Sequence, residues 1–196
     1  EKVLSMADIA EAKTDAWLLL EMVCKIDRSF YYLHMAEEMP EEQMSEYQIA
    51  LRKRAEHVPL QYIVGETEFM GLKFKVNSSV LIPRQDTETL VEEILKDCQN
   101  RDVEILDLCT GSGCIGLSLA VLGRYRSVSA ADISEGALKI ALKNARNLFM
   151  IQKNVIRSQS KKVSDQPWRM ELSVWTGEAE KGRNGAGIFG NRLGTG

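Results

Sequence analysis

The sequence predicts an α/β fold, with a parallel, doubly wound sheet preceded by a small all-helical domain. Three observations carry this. From residue 103 onward the chain alternates strand and helix patterns, the signature of a parallel sheet joined by crossover helices. A glycine-rich turn, CTGSGCIG (109–116), separates the first strand from the first helix. Residues 1 to about 70 show helical periodicity only.

In the helical part, DAWLLLEMVCKI (15–26) sets Trp17, Leu20 and Val23 three apart, with Leu19 and Cys24 on the same flank, so these should face inward. Asp15 suits the first turn of that helix. PEEQMSEYQIALRKRAEHVPL (40–60) opens with Pro40 and Glu41, residues that a helix start accepts, and closes at Pro59. Arg52, Lys53 and Arg54 fall in its later turns, where cations suit the dipole. Its charged residues read as a solvated face.

The pattern changes after residue 60. In FMGLKFKV (69–76), Leu72, Phe74 and Val76 alternate with Lys73 and Lys75, which predicts a half-buried strand paired through the turn NSS (77–79). In VLIPRQDTETLVEEIL (80–95), Pro83 should stop a strand. Asp86 or Thr87 should then cap a helix that buries Leu90, Val91, Ile94 and Leu95. VEILDL (103–108) reads as a strand, CIGLSLAVL (114–122) as a helix and SVSAAD (127–132) as a strand. SEGALKIALKNARNL (134–148) reads as a helix with Ser134 at its N-cap and Leu138, Ala141, Leu142 and Ala145 inward. NVIRS (154–158) is the expected third strand. The resulting organisation is a helical domain over 1–70, a β-hairpin and helix linking region over 71–102, a partial parallel-sheet domain over 103–158 and a tail over 159–196. Seven of the chain's 14 glycines fall in residues 177–196 and no period survives there, so the tail reads as disordered.

Composition excludes several classes. The formal net charge is −3, which argues against charge-driven binding to nucleic acid or anionic membrane. No stretch approaches the roughly 18 apolar residues of a membrane span. EKVLSMADIAEAKTDAW has no basic head before an apolar core, so it is not a signal peptide, and the cytoplasm is the expected location. Residue 1 is Glu rather than Met, which fits a fragment or a processed chain. Cys24, Cys98, Cys109 and Cys114 form no C-x-x-C and lie far in sequence from His34 and His57, so no metal site is expected and the thiols read as reduced.

The glycine turn is the chemical feature. Gly111, Gly113 and Gly116 satisfy G-x-G-x-x-G, follow a strand and open a helix, so backbone can approach a nucleoside cofactor closely. Asp132 ends the next strand, where a carboxylate accepts ribose hydroxyls. Asp107 closes the first strand just ahead of Gly111. A carboxylate there opposes a pyrophosphate but favours a ligand carrying an ammonium and a sulfonium. The turn therefore favours S-adenosylmethionine over a dinucleotide.

PLQYIVGETEFMGLKF (59–74), VLIPRQDTETLVE (80–92), ILDLCTGSGCIGLSLA (105–120) and ADISEGALKIALKNA (131–145) resemble the bacterial release-factor glutamine methyltransferases, the HemK/PrmC group. DAWLLLEMVCKIDRSFYYLH resembles that family's helical domain. The likeness covers residues 1 to about 150. It implies a Rossmann-like methyltransferase domain, incomplete here, that uses S-adenosylmethionine to methylate the glutamine side-chain amide in the GGQ loop of class 1 release factors. It implies that the helical domain helps to dock the release factor. By the resemblance, Cys109, Thr110, Gly111, Ser112 and Gly113 form the cofactor loop and Asp132 holds the ribose. Pro83, Arg84, Asp86, Thr87 and Glu88 match the family's P-R-x-D-T-E motif near the pocket, with Gln85 where the family usually has proline.

The family's catalytic signature is N-P-P-Y, whose Asn side chain and proline carbonyl accept the two amide hydrogens and aim the nitrogen at the methyl group. The sequence contains no N-P-P-Y, and no catalytic residue is assigned. DQPW (165–168) resembles the related D-P-P-W only superficially, because KKVS rather than an apolar strand precedes it. A frameshift or truncation after about residue 150 is the simplest account, and a diverged C-terminal half is the alternative. Two other readings stand beside a glutamine methyltransferase: an amino-group methyltransferase acting on nucleic acid, and a non-catalytic fragment that binds S-adenosylmethionine.

Overall fold

The computed structural model describes residues 1–159 and 169–174, with side chains through residue 148. The chain divides into two compact units, Glu1–Gly65 and Glu66–Gly196.

The first unit is all helical: α1 (Lys2–Met6), α2 (Ala12–Cys24), α3 (Arg28–Leu33), α4 (Glu41–Ala55) and α5 (Leu60–Val64). Its core gathers Leu4, Ile9, Ala12 and Ala16, with Ala7, Leu51 and Ala55 packed against them. Small residues dominate, so helix backbones approach closely. The inward stripe of α2 is Ala12, Asp15, Ala16 and Leu19, one step round from the expected Trp17–Leu20–Val23 line, whose members are only part-buried. Asp15 does lie in the first turn, but it is buried and accepts from Arg54 Nε at 2.7 Å. Arg54 also donates to the Val58 carbonyl at 3.2 Å, so it leaves the solvated face assigned to its helix. An unpaired acid would be too costly at that depth, and the arginine comes inward to meet it. Asp27 caps α3 by accepting from Phe30 N at 2.7 Å.

The second unit begins with a hairpin, β1 (Glu66–Phe69) and β2 (Leu72–Lys75), paired antiparallel from Glu66↔Lys75 to Phe69↔Leu72. Its turn is Met70–Gly71, not the expected NSS, because both residues take positive φ there. The NSS segment instead forms a local turn in which Asn77 Oδ1 accepts from Ser79 N. Residues 81–84 belong to no helix or strand, so Pro83 ends no strand. In α6 (Gln85–Asp97) the N-cap is Arg84, with no side-chain cap from Asp86 or Thr87; Asp86 lies in the first turn. Val91 is buried and Ile94 and Leu95 pack on the core, whereas Leu90 is exposed.

β3 (Glu104–Leu108), α7 (Cys114–Ser118), a π-helical turn (Leu119–Gly123), β4 (Ser127–Asp132) and α8 (Glu135–Gln159) follow. The expected helix over 114–122 thus widens after Ser118. Ser134 caps α8 as predicted, its Oγ accepting from Ala137 N at 3.2 Å. The helix then runs through 154–158, which corrects the third strand expected at NVIRS. No glycine or proline interrupts residues 149–159, and a short apolar run there suits either state. The third strand is β5 (Arg169–Val174), inside the segment read as tail. The rest of that segment, with DQPW and the glycine-rich end, lies outside the described residues.

The sheet has the order β3-β4-β5 and both pairings are parallel. One core joins hairpin, helix and sheet: Phe69, Phe74, Val91, Leu117, Tyr125, Val128 and Leu148 are all buried in it. Tyr125 donates to the Ile94 and Cys98 carbonyls at 3.3 and 3.0 Å, closing the C-terminal end of α6. The other face of β3 is bare, with Leu106 59% and Leu108 65% exposed. Strands of parallel sheets are ordinarily covered on both faces, so the described sheet is an incomplete Rossmann-like one, following a helical N-terminal unit in sequence.

Candidate functional site

Two strand ends and the turn between them build the site. Asp107 and Leu108 end β3 opposite Ala130 and Ala131 of β4. Thr110 N donates to the Ala131 carbonyl at 3.0 Å, extending the ladder one step into the turn. The backbone then coils through positive φ at Cys109, Gly111 and Gly113. Cys109 pays the steric cost of that region, about 1–2 kcal/mol for a residue with a Cβ. Gly113 avoids it, and a Cβ there would also meet Leu117 Cδ1 at 2.8 Å.

Asp107 organises the turn from below. Its Oδ2 accepts from Thr110 Oγ1 at 2.7 Å and from Gly116 N at 3.0 Å. The approach to the helix is so close that a Cβ on Gly116 would sit 2.9 Å from that oxygen. Burial pushes the Asp107 carboxyl above its usual value. The two hydrogen bonds oppose that shift, and the nearby Asp132 adds to it. Among the described residues no lysine, arginine or histidine pairs with this carboxylate.

Asp132 organises the turn from the side. Oδ2 accepts from Gly111 N at 2.8 Å and Oδ1 from Ser134 N at 2.9 Å. Each oxygen keeps a second acceptor site, so the carboxylate can still receive two hydroxyl donors. Thr110 and Ser112 are buried and Cys109 is exposed. Asp107, Thr110, Gly111 and Asp132 therefore stand together around the turn.

Pro83, Arg84 and Glu88 sit elsewhere in the same unit. With Glu68, Phe69 and Gln85 they line a cavity of about 300 Å³, which Asp86 and Thr87 do not. Glu88 Oε1 accepts from Met70 N at 2.6 Å and ties α6 to the hairpin turn. Asn144 went unnoticed in sequence. It is fully buried on α8 and bonds both the loop and the hairpin. The available signal was a polar residue flanked by the inward positions Ala141 and Ala145.

Among the described residues no group of three or more His, Cys, Asp or Glu could hold a metal ion, and no helix is long and apolar enough to cross a membrane.

Residues 1–65 match the PrmC N-terminal domain family. The chain is also 35% identical over 157 residues to the release factor glutamine methyltransferase of Leptospira interrogans, covering 79% of this chain and 55% of that protein. By sequence it resembles the release factor glutamine methyltransferases. The enzyme of that name from Flavobacterium psychrophilum is 36% identical over 167 residues, covering 81% of this chain and 59% of the relative. That from Koribacter versatilis is 40% identical over 149 residues, covering 75% and 53%. The chain spans little more than half the length of these release factor glutamine methyltransferases. Each of these matches covers at least 75% of the 196-residue chain, so wherever it begins it includes residues 107–113.

Proposed function

We propose that the turn from Asp107 to Gly113, with Asp132, binds S-adenosylmethionine, and that it serves methylation of the glutamine side-chain amide in the GGQ loop of class 1 release factors. The observation that carries the cofactor is Asp107, a part-buried carboxylate at a strand end with no cationic partner among the described residues. A ligand bringing an ammonium and a sulfonium supplies one, whereas a pyrophosphate would worsen the repulsion. Asp132 has acceptor sites left for a ribose, and Cys109 and Ser112 complete the loop. Pro83, Arg84, Asp86, Thr87 and Glu88 would lie on the substrate side, with the cavity beside Phe69 as the opening. The release factor as substrate rests on the relatives' names, and the cytoplasm as location rests on that substrate. The relatives supply no support for a nucleic-acid substrate.

A second reading has its own observation. The sequence holds no N-P-P-Y, and Leu106 and Leu108 stand bare on the sheet. A chain that binds the cofactor without transferring its methyl group fits both facts.

Calorimetric titration with S-adenosylmethionine, with NADH as control, tests the cofactor. Micromolar binding of the first alone is expected, and Asp132→Ala should weaken it. Tight NADH binding, or an Asp132→Ala dissociation constant equal to the parent's, would refute the assignment. Transfer of labelled methyl to a class 1 release factor then separates the enzyme from the binding fragment.

A further inference from the structure

Asn144 joins two parts of the unit that are remote in sequence. Its Oδ1 accepts from Lys75 N at 2.6 Å and its Nδ2 donates to Lys75 O at 3.0 Å. The carboxamide therefore pairs with the end of β2 as a neighbouring strand would. The other Nδ2 hydrogen goes to Ser112 O at 2.9 Å, inside the glycine turn. Both donors are used, the residue is fully buried, and rotating the amide by half a turn would set its NH2 against Lys75 N–H. The bonds continue beyond Lys75. Its register partner is Glu66, and the Lys75 ammonium donates to Glu66 Oε2 at 2.6 Å. At the far end of the hairpin Met70 N holds Glu88, which lines the cavity with Glu68 and Phe69. An unbroken path of hydrogen bonds and strand pairing thus runs from the glycine turn to that cavity.

We infer that Asn144 is a positioning residue that couples occupancy of the glycine turn to the order of the β1–β2 hairpin and the cavity beside it. The inference rests on the turn being the cofactor site. A ligand that immobilises Ser112 immobilises the carboxamide and, through it, the strand that walls the cavity. Filling one site thereby prepares the other, at a distance and without shared side chains.

Residue-resolved hydrogen exchange, run with calorimetry on the same samples, tests this. In the parent chain, saturating S-adenosylmethionine should slow exchange of the hairpin amides from Glu66 to Lys75 about fivefold or more. In Asn144→Ser the amides of Gly111 and Gly113 should still slow, while the hairpin no longer responds to ligand. A purely structural role would speed hairpin exchange equally with and without ligand, and would leave the ligand-dependent difference in place. If Asn144→Ser does not fold, Asn144→Asp, which keeps the acceptor for Lys75 N but loses both donors, takes its place with the same outcomes expected. Slowing at the turn without slowing at the hairpin in the parent overturns the coupling. Absence of binding by calorimetry overturns the cofactor reading and the coupling with it.

Discussion

Replacing Gly116 by alanine sets two known effects against each other. Gly116 lies within α7, where alanine is favoured over glycine by about 1 kcal/mol in a helix interior. Against this, the new Cβ would stand 2.9 Å from Asp107 Oδ2, 3.2 Å from Asp107 Cβ and 3.5 Å from Asp107 Cγ. The carboxylate tip could turn aside, but its Cβ belongs to β3 and is held by the pairing of Asp107 with Ala130. Overpacking of this kind costs about 1–3 kcal/mol. Turning the carboxylate away also breaks the 3.0 Å bond from Gly116 N, worth about 1.5–3 kcal/mol because the acceptor is charged. Subtracting the propensity gain leaves a net loss of about 1.5–5 kcal/mol. Hydrogen exchange at the β3–β4 ladder reports the second unit alone, so the loss should appear there and not in α2 or α4. A ladder made more stable by about the propensity term would refute the claim that Asp107 is what requires glycine at this position.

Asp107→Asn keeps an acceptor for Thr110 and Gly116 but removes the charge. Because burial raises the Asp107 carboxyl, the acid adds stability that is fully present below its unfolded value, near 3.9, and lost as pH rises through its folded value. The Asn variant should therefore gain on the parent as pH goes from about 4 to 7, and urea titrations at the two values check this. The parent's affinity for S-adenosylmethionine should also fall on acidification toward the carboxyl's raised value, while that of Asp107→Asn stays flat and weaker by about tenfold or more, the worth of a charged hydrogen bond; calorimetry across pH decides. Glu66 behaves oppositely. The Lys75 hydrogen bond lowers its carboxyl, so Glu66→Gln should cost about 0.5 kcal/mol at neutral pH, and the cost should fall away as pH drops from the unfolded value, about 4.3, through the lowered folded one, read from hairpin exchange. In the first unit, Asp15→Ala strands a largely buried Arg54 and should cost about 2–3 kcal/mol, below the full buried-pair value because Arg54 keeps some solvent and its bond to Val58. Asp15→Leu with Arg54→Met should cost less than the sum of the two single changes, which a double-mutant cycle by urea unfolding measures.

Sequence alone determined what depends on neighbours along the chain. The strands at 104–108 and 127–132, the Ser134 cap and the glycine turn follow from local pattern and backbone preference. The meeting of Asp107 with Asp132 follows too, because consecutive parallel strands bring their C-terminal ends side by side. Tertiary structure decided what depends on contacts between distant residues. Leu90 and Val91 are equally apolar, yet only the packing of α6 on Phe69, Phe74 and Tyr125 buries one and exposes the other. NVIRS is compatible with strand or helix, and continuation of α8 settles it. Asp15 reads as a helix-start acid until α4 brings Arg54 against it, and Asn144 reads as one more polar residue until Lys75 and Ser112 close around its carboxamide. A buried polar group is defined by its partners, and no period along the chain reveals partners that only folding brings within 3 Å.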